Sequence, residues 1–289
     1  MFLTLQRNFY ISLFLLFLTG GLYGQVTLTT SPYTENFDNL GSGYPTGWTG
    51  RTGATASALG TTATLTTAPT AWNNTTGSFK NYASADGLPS NANAATQNAS
   101  TDRSLGVKQT GSFGDPGATF VLQLANTLNI SALSVSFKLQ SLDIASARTV
   151  TWQLQYGIGN TPTSFTNITT SPATLTTGGS TYTNVTVTAT LPAALENQSD
   201  NVWIRVVALT SSTGSGARPT TGIDDFQLDF TVGNPITADH LQFDNPPTDG
   251  LPGVPFQLTV CAVDPSDQIQ PDYNTPIALN QTLDTPATI

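Results

Sequence analysis

Apolar and polar residues alternate with a period of two through most of the span 26–232, the mark of half-buried β-strands. In residues 132–140, Leu133, Val135, Phe137 and Leu139 share one face, while Ser134, Ser136 and Lys138 share the other. The next run sets Val150, Trp152, Leu154 and Tyr156 against Thr151, Gln153 and Gln155. Further on, Val185, Val187 and Ala189 alternate with threonines, and Phe226, Leu228, Phe230 and Val232 close the series. Residues 202–209 are apolar at both parities, which predicts a central strand covered on both faces. β-Branched Thr and Val dominate, and no stretch carries a helical stripe. The pattern predicts an all-β chain built around one large sandwich.

Three stretches break the alternation and read as long loops, residues 51–98, 157–181 and 210–221, although the Thr-rich segment 61–70 reads equally well as a solvated edge strand. After Gly233 the register changes. Residues 234–236 read as a linker, Leu241 and Phe243 as a short strand, residues 245–253 as a Pro- and Gly-rich turn, residues 256–263 as a longer strand and residues 277–279 as another. The span 234–289 is about half the ~100 residues of an immunoglobulin-like sandwich, so an incomplete domain and a truncated chain are expected.

The N-terminus reads as an export signal. Arg7 supplies a positive flank, residues 11–18 an apolar run, and residues 19–24 a small-residue exit with cleavage before Gln25. That run is far short of the ~20 residues that span a bilayer, so the mature chain is expected to be secreted or at the cell surface without membrane insertion. The organisation expected is therefore a signal peptide (1–24), a β-sandwich (25–233) and an incomplete second domain (234–289). The lone Cys261 excludes an intrachain disulfide framework, leaving stability to the core and to bound metal.

Charge narrows the chemistry. The net charge is −9, and the nine Lys and Arg are scattered singly, which argues against nucleic acid as a partner. His240 is the single histidine, so Ser-His-Asp triads, His-rich zinc sites and Cys-His pairs have no material to build from. No strand motif marks a carboxylate pair for glycoside hydrolysis. The chain is thus expected to be non-catalytic.

Of the 18 acidic residues only Glu35 and Glu196 are glutamates; the rest are aspartates, which favour turns and short-reach coordination. Two motifs bracket the alternating region: TENFDNLGSGYPTGW, from Thr34, and GIDDFQLDF, from Gly222. If the first and last strands pair, Glu35 and Asp38 meet Asp224 and Asp225, an oxygen-rich set suited to Ca²⁺. Adjacent residues of a strand point to opposite faces, so only one of Asp224 and Asp225 is expected to reach a given ion. The alternative is that these acids satisfy backbone donors in turns. A second candidate site is a sugar platform: Trp72, Phe79 and Tyr82 in the long first loop, with Lys80 and Asp86 nearby. Its alternative is that the rings pin the loop to the core.

Together with DRSLG, residues 102–106, the two bracketing motifs resemble a jelly-roll module of secreted and surface proteins of Bacteroidota, overlapping in pattern with MAM-like and concanavalin-like sandwiches. The resemblance spans residues 33–232 and implies a jelly roll with a cation beside the Ile-Asp-Asp strand, making Glu35, Asp38, Asp224 and Asp225 the metal candidates. The MAM-type disulfides are absent. GVPFQLTVCAVD, in the last segment, resembles the second strand of a bacterial immunoglobulin-like repeat. The function expected is adhesion or glycan binding, with a glycan or another surface protein as partner and a structural Ca²⁺. The alternative is the accessory N-terminal region of a secreted hydrolase whose catalytic domain lies outside this chain.

Overall fold

The computed structural model describes residues 24–233, 240–244, 259–263 and 267–269. The expected signal peptide, the linker at 234–236, the turn at 245–253 and the strand at 277–279 lie outside the described residues, apart from Gly24. The chain divides into two compact units, Met1–Val232 and Gly233–Ile289.

In the first unit the strands are, in chain order, β1 (Tyr33–Glu35), β2 (Trp48–Thr52), β3 (Thr61–Thr62), β4 (Leu65–Thr70), β5 (Ser78–Ala83), β6 (Arg103–Lys108) and β7 (Thr119–Leu124). There follow β8 (Ile130–Ser141), β9 (Thr149–Ile158), β10 (Thr166–Asn167), β11 (Leu175–Gly178), β12 (Thr183–Thr190), β13 (Val202–Val207) and β14 (Thr220–Val232). A short helix, α1 (Ala94–Ala99), begins at an Asn93 cap whose side chain accepts from the Thr96 N–H.

These strands form two seven-stranded sheets among the described residues. The first runs β12-β8-β14-β6-β5-β4, with β1 also on β14; the second runs β10-β9-β13-β7-β2-β3, with β11 on β9. From β6 to β14 the chain crosses repeatedly from one sheet to the other, and every pairing is antiparallel except β4 with β5. The unit is an all-β jelly-roll sandwich.

The inward-facing residues are those the alternation marks. Leu133, Val135, Phe137 and Leu139 of β8 meet Trp152 and Leu154 of β9 and Phe120, Leu122 and Leu124 of β7 in one core. Trp48 packs edge-on against Phe37 and Phe226, with ring centroids 5.0 and 4.9 Å away. All six residues of β13 are buried, as its apolar character on both parities requires.

Two of the three expected long loops are corrected, while residues 210–219 remain a loop and residues 61–70 hold the edge strands β3 and β4. Residues 51–98 carry β3, β4, β5 and α1, and residues 157–181 carry β10 and β11. β5 escapes a reading by polarity because its buried polar side chains are satisfied internally. The Lys80 ammonium reaches Asn74 Oδ1 and the Thr76 carbonyl, and Asn81 Nδ2 donates to the Thr67 carbonyl at 2.8 Å. In the second unit β15 (His240–Asp244) pairs antiparallel with β16 (Thr259–Val263), which contains the free Cys261. His240 Nε2 lies 3.1 Å from Asp267 Oδ1.

Candidate functional site: an acidic gap in the first sheet

β14 changes neighbours halfway along. Thr220–Ile223 pair with β6, and Phe226–Leu228 pair with β1. Asp224 and Asp225 fall between the two. On the opposite edge, the register with β8 slips between Asp224 and Gln227, a β-bulge, and Asp225 takes φ +45°. The end of β1, the end of β5 and the start of β6 all lead into this gap, bringing Asp38, Asp86 and Asp102 to it.

Carboxylate oxygens of Asp86, Asp224 and Asp225 lie within 4.8 Å of one another. Asp224 is fully buried; its Oδ1 accepts from the Asp225 N–H at 2.7 Å, while its Oδ2 has no hydrogen-bond partner. Asn184 Nδ2 holds Asp86 Oδ1 at 2.6 Å, and the Asp86 N–H donates to Ser84 Oγ at 3.1 Å. Asp38 receives the Arg103 N–H at 2.9 Å and Asn36 Nδ2 at 2.7 Å.

Burial, with the neighbouring Asp225 and Asp102 charges adding and the Ser84 hydroxyl opposing, pushes the Asp224 carboxyl up to about 8. Asp102 is raised to about 6, first by burial and then by Asp38, Asp225 and Asp86. Asp225 is raised by burial and Asp86, with Lys138 opposing. The gap therefore gathers carboxyl groups that hold their protons more tightly than usual, with Lys138 and Arg103 offsetting only part of the mutual repulsion. A buried carboxyl with one unpartnered oxygen, grouped with two further carboxylates, is a donor set for a hard divalent cation.

Two of the four sequence-derived metal candidates, Asp224 and Asp225, meet here with Asp86; Asp38 stands beside them with its oxygens held by the Arg103 N–H and Asn36 Nδ2. Glu35 sits beside the gap in register with Phe226, but its Oε1 is taken by the Phe37 N–H at 2.9 Å. The expectation that only one of Asp224 and Asp225 could serve one ion is corrected. The bulge breaks the two-residue alternation and turns both carboxylates to one place. Asp86 and Asp102 were not among the candidates. The DRSLG motif held the signal for Asp102; nothing local to Asp86 tells that its loop returns to β14.

The sugar platform is corrected outright. Trp72 is 2 % exposed, and Phe79 and Tyr82 are 0 % exposed. Trp72 Nε1 donates to the Ala83 carbonyl at 2.9 Å, and Phe79 packs edge-on against Phe120 with centroids 5.5 Å apart. The Tyr82 ring crosses β6 at Gly106, where an added Cβ would stand 2.4 Å from it. These rings pin β5 into the sandwich and cannot stack a sugar.

The outer face of the second sheet offers no open alternative at its centre. Arg205 on β13 is fully buried between the Phe165 ring, 3.5 Å from its Cζ, and the acceptors Gln155 Oε1, Ala58 O and Thr55 O, each at 2.9 Å. Burial lowers its guanidinium to about 10. Arg205→Ala leaves those acceptors without a donor and is expected to cost about 3 kcal/mol. Limited proteolysis should then cut the 53–60 loop that Arg205 fastens; an unchanged digestion pattern would show the loop is held otherwise.

No protein-family model matches the chain, and no curated protein matches it in sequence. Several solved structures do match over most of its length. The CBM22-1 xylan-binding domain of Xyn10C from Paenibacillus barcinonensis is 12% identical, covering 70% of this chain and 95% of its own, at a TM-score of 0.35. The xylan-binding module CBM15 is 13% identical, covering 70% and 98%, at 0.37. The Stig cyclase Fisc from Fischerella sp. TAU is 12% identical, covering 70% and 90%, at 0.38. Binding modules and a cyclase thus stand together at similar scores, and superposition this loose carries no argument about the chemistry of this chain.

Proposed function

We propose that the chain is an exported, non-catalytic β-sandwich module for glycan binding or adhesion. In this reading a structural Ca²⁺ completes its jelly roll, held by Asp86, Asp224 and Asp225 with Asp38 and Asp102 alongside. One observation carries the cation: the fully buried Asp224 Oδ2, which has no hydrogen-bond partner, with the neighbouring Ser84 hydroxyl only partly offsetting the burial of its carboxyl. Burying such a group uncompensated is costly, and a cation at the gap removes the cost while cancelling repulsion among the carboxylates. The β15–β16 hairpin is the described part of a proposed immunoglobulin-like domain.

The test is thermal unfolding of residues 25–289 with Ca²⁺ and with EGTA. A ligand at about 100 times its Kd stabilises the native state by about 2.7 kcal/mol. For a unit of this size that is a rise of about 5–10 °C in Tm. Mg²⁺, which demands octahedral geometry and keeps its waters, should give a smaller rise. Equal Tm in Ca²⁺ and EGTA would remove the cation from the proposal.

A further inference from the structure

The register of the first sheet builds a ladder of polar side chains on its outer face, with the acidic gap at one end. Thr186, Lys138 and Asp224 lie side by side across β12, β8 and β14. Thr188, Ser136 and Gln227 form the next row, and Thr190, Ser134 and Asp229 the third. The alternate residues of the same strands, such as Val187, Phe137 and Leu228, point into the core, so all three rows lie on the outer face of the sheet, where Asp224 alone is covered. Successive rows stand about 7 Å apart.

Two clefts follow this ladder and meet at Ser136. One, of about 360 Å³, includes Asn36, Lys138, Thr186, Asp225 and Gln227. The other, of about 450 Å³, includes Thr170, Ser171, Thr188, Thr190 and Asp229. Its wall is fastened by a pair of backbone hydrogen bonds between Ser171 and Thr188, at 2.8 and 2.9 Å. Asp225 belongs both to the first cleft and to the carboxylate cluster, and it is exposed. The cation site therefore opens into the groove.

We infer that this groove binds a neutral, hydroxyl-rich glycan chain, and that the cation at Asp86, Asp224 and Asp225 takes up a vicinal hydroxyl pair of that chain. The inference rests on the calcium reading above. Ca²⁺ seeks six to eight oxygens, three carboxylates giving one oxygen each leave places unfilled, and the open side is the groove. The groove offers hydroxyls, two amides, one ammonium and carboxylates at both ends, a surface that trades hydrogen bonds with sugar hydroxyls in both directions. Asp225 and Asp229 repel an anionic chain at either end. A peptide strand would seek an open sheet edge or apolar pockets, whereas this is the polar face of paired strands.

The experiment applies residues 25–289 to an array of immobilised neutral and acidic oligosaccharides, in Ca²⁺ and in EGTA, beside Gln227→Ala and Thr188→Val. Neither substitution touches the carboxylate cluster, so both variants should keep the Ca²⁺-induced rise in Tm. The expected result is retention on neutral oligosaccharides that is lost in EGTA and weakened at least tenfold in both variants. A blank array, retention indifferent to EGTA or to both substitutions, or preference for acidic chains, each with the Tm rise intact, overturns the groove while leaving the cation site standing. Loss of the Tm rise in the unsubstituted chain overturns both.

Discussion

Asp224→Asn is expected to stabilise the metal-free protein at pH 8 while abolishing its response to Ca²⁺. The two effects have opposite signs because one side chain is a liability without the ion and a ligand with it. The Asp224 carboxyl moves from an ordinary 3.8 to about 8 in the folded state. Between those values the native state holds a proton that the unfolded state has released. Stability of the metal-free protein therefore falls as pH rises through that window. Asp102, raised to about 6, adds a slope of the same sign below pH 6.

Asparagine keeps an oxygen for the Asp225 N–H, and its amide gains the Asp86 and Asp225 carboxylates as acceptors. In EGTA the variant should gain about 1–3 kcal/mol at pH 8, the scale of an unsatisfied buried polar group, and nothing near pH 4. In the unsubstituted chain the Ca²⁺ effect should be larger at pH 8 than at pH 5, where protons compete for the same oxygens. Urea unfolding at both pH values, with Ca²⁺ and with EGTA, measures all of this. A variant that is weaker in EGTA at pH 8 and still responds to Ca²⁺ would make Asp224 a turn residue and nothing more.

The second large effect belongs to Trp72. Its Ala substitution is expected to cost about 3–5 kcal/mol, the range for emptying a buried aromatic site. The loss goes beyond packing. The indole N–H donates to the Ala83 carbonyl at 2.9 Å and is lost with the ring, and the ring's removal loosens the seat of the main chain, whose N–H donates to Gln97 Oε1 at 2.7 Å and whose carbonyl accepts from Thr220 Oγ1 at 2.9 Å. Those contacts tie the segment before β5, helix α1 and the start of β14 together. Ser84 and Asp86 follow directly on β5, so Ca²⁺ affinity should fall along with stability. An exposed sugar platform would behave in the reverse manner, losing retention on glycans with the urea midpoint unchanged, and that outcome would return Trp72 to the surface.

Much of the sandwich is legible in the sequence because its strands are half-buried. Leu133, Val135, Phe137 and Leu139 announce β8 by period alone, and the two acidic motifs do pair as β1 with β14, Tyr33 opposite Leu228. β5 is not legible, since both of its faces are covered and Lys80 and Asn81 are buried by partners that only the fold supplies. The bulge left a mark that strict alternation overlooks. Ile223 and Phe226 are both buried yet stand three positions apart, where an unbroken strand would place them two or four apart. That extra residue is Asp225. Asp86 is illegible for a different reason: its role depends on a loop returning to a strand far along the chain, and no local pattern encodes such a return.

The strand switch along β14 also governs when the sandwich can be finished. β1 is among the first segments to emerge during synthesis, yet its sheet partners are Phe226–Leu228, near the end of the unit. It must wait, unpaired, while the intervening strands settle, and contacts so distant in sequence are slow to form. The acidic gap has the same dependence, since Asp86 gains its companions only when β14 docks. An ion bound there would act as a latch on the completed sandwich, with little to grip before the last strand arrives. Such a latch leaves the folding rate nearly untouched and slows unfolding, giving the module persistence in time and not only a higher melting point.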